Sequence, residues 1–244
     1  MTNQQDDRIL LAHIQDFVRR GAYRSFTAFL DQRQYTLVKA ELRSGTYRFF
    51  GGYPDAERGI LCIHPEDLPP TDEEYPISCL TFTFPEAYRI THRDVLGSLM
   101  AQQIQRDTVG DILVTSGRVQ CFVTGAAIAT GLSLTKIGRV GVKVTDATPF
   151  ADDYHQNVKE HSGTVTTPRL DAVLRTALNQ GRGQCLVMIR SGIVTLNYQE
   201  ILQPDKLLKA GDVFSVRGHG KFRLKEVGEP TKKGRLHIII EQFL

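Results

Sequence analysis

Arg169-Leu170-Asp171-Ala172-Val173-Leu174, Arg182-Gly183-Gln184, Ser191-Gly192-Ile193-Val194-Thr195-Leu196-Asn197 and Gly211-Asp212-Val213-Phe214-Ser215-Val216-Arg217-Gly218 decide the fold of the last third of this chain. The first two blocks each open a short helix with an arginine at its start. The third turns through Ser191-Gly192 into a strand, and the fourth closes the unit. Two basic helix starts, a tight turn and a short β-ribbon within about fifty residues make a compact, positively charged face. Such a face suits folded RNA better than a small metabolite.

The distribution of charge supports that reading independently. The chain of 244 residues is only slightly basic, with 30 Lys and Arg against 27 Asp and Glu. Residues 1–75 carry net −3 and residues 76–160 net 0, whereas residues 161–244 carry 13 basic and 7 acidic side chains, net +6. Such asymmetry points to a polyanion partner for the basic segment. Taken alone, a solvated basic surface explains the excess equally well; arginines at helix starts favour the polyanion.

Composition narrows the class. The length holds two or three small domains with cores of their own. Hydrophobic content of 41% and charged content of 23% are ordinary for a soluble globular protein. No apolar run reaches the roughly 18 residues that span a bilayer. The polar, acidic start, Met1 to Asp7, is unlike a secretory or transit peptide, so a cytoplasmic chain with no membrane partner is expected. Cys62, Cys79, Cys121 and Cys185 are scattered, with no Cys-x-x-Cys pair. They read as reduced, partly buried thiols rather than zinc ligands or disulfides, and neither a metal nor a cofactor is expected.

Three domains of an α+β chain are expected: 1–75, 76–160 and 161–244. In the first, Ile9, Leu10, His13, Ile14 and Phe17 recur at helical spacing. Ser25 is placed to cap a second helix carrying Phe26, Phe29 and Leu30, and Leu37, Val38 and Leu42 continue a helical pattern. Tyr47–Phe50 and Gly59–Ile63 then read as strands. Residues 65–76 hold four prolines among five acidic side chains, which predicts an extended linker and a boundary. The middle segment reads strand, helix, hairpin, helix, strand: Ile77–Phe84, a Thr91-capped helix to Ile104, 111–114 with 118–123, 126–134 and 140–144. That βαββαβ order is the split-βαβ, ferredoxin-like or RNA-recognition-like sandwich, a fold that hosts many activities. Phe82, Phe84 and Phe122 are its candidate stacking aromatics, although strand alternation favours them as core.

The candidate RNA-binding residues lie in the last segment. A helix N-terminus offers unsatisfied N–H groups and a favourable dipole to phosphate. Arg169 follows Pro168 at one such start and Arg182, with Gln184 close behind, stands at the other. Their guanidiniums add bidentate contacts that lysine cannot reproduce. Arg175 and Arg190 extend the face along the helices, while Lys209, Arg217, Lys221 and Arg223 supply the ribbon side. His219, between two glycines, is placed for close approach to a nucleotide. Asp171 satisfies backbone groups or pairs with an arginine, and Gly192, Gly211 and Gly218 serve turns. Other motif-like strings lack their contexts. Gly218–Phe222 is too short for a P-loop. Thr91-His92-Arg93-Asp94 has no kinase glycine loop beside it. No HExxH or nucleophile elbow occurs.

The four blocks, in this order, resemble the S4 RNA-binding domain, with Gly181-Arg182-Gly183 standing where that domain usually has Ser-Arg. Two further strings, Phe49-Phe50-Gly51-Gly52-Tyr53-Pro54-Asp55-Ala56-Glu57-Arg58 and Thr91–Met100 with Arg106–Ile112, resemble the YlmH-like family of S4 domain proteins. The form Arg58–Ile63 is similar to its photosynthetic branch, the photosystem II S4 domain proteins. The resemblance spans nearly the whole chain. It implies an N-terminal α+β domain, an RNA-recognition-like middle domain and a C-terminal, αL-type S4 domain whose core includes Leu170, Val173 and Leu174. It also implies a monomer without catalytic activity that binds structured rRNA and tRNA on the large ribosomal subunit, including in rescue of stalled peptidyl-tRNA complexes.

Two rival classes are weighed against it. An S4-targeted RNA-modifying enzyme needs either the larger β-rich domain of a pseudouridine synthase or a glycine-rich cofactor loop, and the upstream residues show neither. A photosystem II assembly factor needs a membrane or protein partner that the sequence does not display.

Overall fold

Leu10, Leu11, Ile14 and Phe17 form the buried stripe of α1 (Thr2–Arg20), while Ile9, expected on that stripe, is 51% exposed. The computed structural model describes residues 2–21, 23–54, 56–150, 158–231 and 234–243, so Asp55 of the glycine-rich string lies outside the described residues. The chain divides into two units, Met1–Tyr154 and His155–Leu244.

In the first unit, Ser25–Leu30 is a strand, β1, and not the expected helix. Phe26, Thr27 and Phe29 are strand-favouring residues. A register shift between Phe26 and Phe29 lets both pack in one cluster, and Phe29 is buried at 1% exposure. The true cap is Asp31, which starts α2 (Gln32–Lys39): its carboxylate accepts the Gln34 N–H at 2.8 Å while the Gln34 side chain accepts the Asp31 N–H at 2.9 Å. β2 (Tyr47–Phe50) and β3 (Gly59–Ile63) complete an antiparallel sheet ordered β1-β3-β2. β3 is buried throughout because both its faces are covered. Leu61 and Ile63 meet α1 and α2, while Ile60 and Cys62 face the opposite way.

A second antiparallel sheet follows, from β4 (Ser78–Thr83), α3 (His92–Met100), β5 (Val109–Thr115), β6 (Arg118–Val123), α4 (Ala126–Leu132), the small ribbon β7 (Lys136–Ile137) and β8 (Val140–Gly141), and β9 (Lys143–Asp146). Its order is β5-β6-β4-β9. Thr91 caps α3 as the sequence predicts. α3 and α4 cover one face, over Leu80, Phe82, Val119 and Cys121. Cys79, Leu113 and Phe122 on the other face share a cluster with Phe29, Ile60, Cys62 and Tyr75. The core therefore runs across residue 75, and the two sheets belong to one unit. Phe82, Phe84 and Phe122 are all buried.

Residues 65–76 are also not a free linker. Arg24 donates to the Leu68 and Pro69 carbonyls and pairs with Glu74, and Arg48 donates to Pro70 O and to Asp72, each at 2.6 Å. Tyr75, 4% exposed, closes the strap by donating its hydroxyl to Arg48 O. Proline content predicts the extended backbone; only distant arginines pin it.

In the second unit β10 (Val158–Val165), α5 (Leu170–Leu178), α6 (Arg182–Arg190), β11 (Val194–Leu196), β12 (Gln199–Glu200), β13 (Val213–Val216), β14 (Gly220–Pro230) and β15 (Leu236–Phe243) form an antiparallel sheet ordered β10-β15-β14-β13-β11-β12. Leu170, Val173, Leu174 and Ala177, at i, i+3, i+4 and i+7, face the sheet with Cys185 and Ile189 of α6. Phe214 stacks on Phe222 beneath them, ring centroids 5.3 Å apart. Asn179, in the left-handed region at φ 52°, ends α5. Asn197, at φ 47° in the β11–β12 turn, bonds Val213 N and the buried Asp212, which also accepts the Lys209 N–H. Gly211-Asp212 is thus a turn lock.

Candidate nucleic-acid interface

The start of α5 is stitched to the loop before β13. Leu170 N donates to Lys206 O and Asp171 N to Pro204 O, while Leu208 N donates to Pro168 O. These bonds occupy the first amides of α5, so the anion-attracting N–H groups expected there are spent on the fold. Arg169 is the N-cap residue, with no side-chain capping bond. Its side chain is what this helix start presents. At α6, Gln184 accepts the Gly181 N–H at 3.2 Å, which gives it a capping role.

Asp171 gathers the arginines. Its side chain is 3% exposed; Oδ1 accepts from Arg169 Nε at 3.1 Å and Oδ2 from Arg169 Nη2 at 3.2 Å. Arg182 Nη2 reaches the same Oδ2 at 3.4 Å. Arg169 and Arg182 nonetheless keep 38% and 69% of their side chains exposed. They line a groove of about 360 Å³ with Arg175, Arg235, Thr166 and Thr167. Arg235 was not among the residues read from the sequence. It comes from the β14–β15 hairpin, where pairing of Pro230 with Leu236 brings it to β10, and it donates to Thr164 O. The only sequence signal for it is the basic run Lys232-Lys233-Gly234-Arg235.

The other candidates do not join this groove. Arg190 ends α6, about 12 Å along the axis from Arg182 at 1.5 Å per residue. Arg217 and His219 sit in the β13–β14 turn; His219 Nε2 lies 3.5 Å from Gln180 Nε2 of the α5–α6 turn. Lys209 is exposed beside the Asp212 lock. On the sheet, Lys221 Nζ lies 5.2 Å from the ring centroids of both Tyr198 and Phe243. Arg223 is committed to buried Glu241 by bonds of 2.9 and 2.6 Å, and Lys225 bridges Glu241 and Glu160. Burial would push the Glu241 carboxyl up, but the bonds from Arg223 and Lys225 outweigh it and hold it below its ordinary range. Of the expected ribbon cations, Arg223 thus joins the charge ladder and Lys221 an aromatic pair, while Lys209 and Arg217 lie in turns.

In the first unit the glycine-rich string builds a cavity of about 710 Å³ walled by Phe50, Tyr53, Tyr75, Phe122 and Phe150. Tyr53 stacks on Phe122 at 4.9 Å. Gly52, at φ 98°, lies so close that a Cβ would sit 2.4 Å from the Phe122 ring. Asp111 anchors the string, accepting from the Tyr53 hydroxyl, Glu57 N and Arg58 N. Burial pushes its carboxyl up against the pull of those donors. The same cause pushes the Cys62 thiol up to about 11 and the Cys121 thiol higher still. All four cysteines are buried.

Residues 70–151 match the family described as "Putative RNA-binding domain in YlmH". Over nearly its full length the chain is similar to "Ribosome-associated protein quality control protein P2" of Bacillus subtilis (strain 168), 27% identical over 251 residues that cover 98% of this chain and 96% of the relative. Both matches make the chain similar to YlmH-like proteins. A solved structure, "Cell division protein ylmH from Streptococcus pneumoniae", is similar at 23% identity and a TM-score of 0.49, over 58% of this chain and 90% of that one. The family match falls in the first unit of this chain, whereas the arginine groove lies in the second. Among the described residues, no helix is long and apolar enough to cross a membrane.

Proposed function

We propose that this YlmH-like protein is a non-catalytic RNA-binding factor of the cytoplasm that grips rRNA or tRNA through the groove of its second unit. The carrying observation is a groove lined by four arginines, two of which bond one buried carboxylate. Guanidinium forks match the paired oxygens of a phosphate. We read the two helices and the ribbon as an S4 domain, and the βαββαβ part of the first unit as RNA-recognition-like in topology. Its sheet aromatics are buried, so it serves here as support and not as a stacking platform. Similarity to a relative named for ribosome-associated quality control supports action on the large ribosomal subunit in rescue of stalled peptidyl-tRNA complexes.

Salt titration of RNA binding tests this. Each phosphate neutralised contributes a slope of about −0.7 to −0.9 in log affinity against log salt. Arg169→Ala with Arg182→Ala should weaken binding to a labelled stem-loop RNA and flatten the slope by about one to two phosphates' worth. Unchanged affinity in the folded double variant overturns the proposal.

A further inference from the structure

The groove and the sheet ladder of the second unit handle charge differently. On the sheet, Arg223 and Lys225 meet Glu241 and Glu160, two cations for two carboxylates. In the groove, Arg169, Arg175, Arg182 and Arg235 line the same walls as Asp171 alone, four positive charges against one negative, net +3. Asp171 is 2% exposed, and a carboxylate that deep persists only where donors satisfy it. Those donors come from two helix starts, Arg169 with two N–H groups and Arg182 with one. A guanidinium has five donors, so three remain on Arg169 and four on Arg182. Among the described residues no other acceptor takes them.

We propose that Asp171 is a positioning residue for RNA: its buried carboxylate sets the Arg169 and Arg182 guanidiniums side by side as a clamp for one backbone phosphate, with Arg175 and Arg235 on the walls. This rests on the reading of the groove as an RNA site. Anchoring the two arginines in advance removes rotamer freedom that binding would otherwise cost, and the anchored forks present planar donor pairs to phosphate oxygens. The role has a sign opposite to that of charge. Asp171 subtracts from the positive field, so field alone makes Asp171→Asn bind RNA more tightly. Positioning makes it bind more weakly.

Fluorescence anisotropy with a labelled stem-loop RNA and the full chain, at several salt concentrations, separates the two. The expected result is roughly tenfold weaker binding by Asp171→Asn, the scale of a lost charge-assisted contact, with a salt slope shallower by about 0.8. The substitution should then have no further effect when Arg169 and Arg182 are both alanine. Tighter binding by Asp171→Asn overturns the inference. So does an equal loss in both backgrounds, which is what a role confined to fold stability gives. If Asp171→Asn does not fold, Arg169→Lys asks the same question, because it keeps the charge and cannot fork. Roughly tenfold weaker binding is expected there as well, and unchanged affinity overturns the inference. A failure of the unsubstituted chain to bind RNA is a separate outcome, which removes the RNA reading and this inference with it.

Discussion

Asp111 shows how much a single half-buried side chain of the first unit carries. It satisfies two backbone amides and one phenol of the glycine-rich string at once. Arg58, from the same string, donates to Phe29 O and Val109 O. The string thus works as a clasp between β1, β5 and the loop before β3. Removing the acceptor takes away three hydrogen bonds at once from a part-buried site. Asp111→Ala should destabilise the protein by about 3 kcal/mol, since each of the three lost hydrogen bonds contributes on the order of 1 kcal/mol. Urea denaturation measures it. A loss under about 0.5 kcal/mol, the usual range for a surface substitution, would show that the clasp does not hold the fold.

At the scale of elements, the outer face of β10, β15 and β14 is held by charge as well as by pairing. Glu241 opposes Arg223 in register and accepts from both Arg223 and Lys225. Its folded carboxyl lies below the ordinary value of 4.5. A depressed carboxyl contributes stability that is fully present above the unfolded value and is lost as pH falls through the folded one. Stability of the second unit should therefore be flat with respect to this group above about pH 5 and decline in acid below about pH 4.5. Glu241→Gln should remove this group's share of the acid-side decline. A pH–stability profile with an identical acid limb in wild type and Glu241→Gln would refute the assignment.

For the whole molecule, the division into two units has a consequence for folding. The second unit contains its own cluster, from Val165 through Ile240, with Leu170, Val173, Phe214 and Phe222 fully buried. A domain with its own core folds alone. Residues 155–244 expressed by themselves should give a dispersed amide spectrum and keep the groove. The first unit offers no such cut at residue 75, because Phe29, Ile60 and Cys62 share a cluster with Cys79, Leu113 and Phe122. Residues 1–75 alone should expose that face and aggregate or remain unfolded. A well-dispersed spectrum from 1–75 would contradict the shared core.

The sequence by itself determined what depends on near neighbours along the chain. The i, i+3, i+4, i+7 spacing of Leu170, Val173, Leu174 and Ala177 marks α5, Thr91 marks the start of α3, and short apolar, strand-forming runs mark β2, β3, β5 and β6. It also placed arginines at both helix starts, since position within a helix is a local property. Tertiary structure decided the rest. Ser25–Leu30 became a strand because β3 needed a partner and Asp31 was the better cap. The Pro-rich segment became a strap because Arg24 and Arg48, distant in sequence, reach its carbonyls. Arg223 pairs with Glu241 and Arg235 lines the groove because strand register sets which cation meets a carboxylate. Propensity and capping act over a few residues, whereas the pairing of charges is fixed by chain segments that meet only after folding.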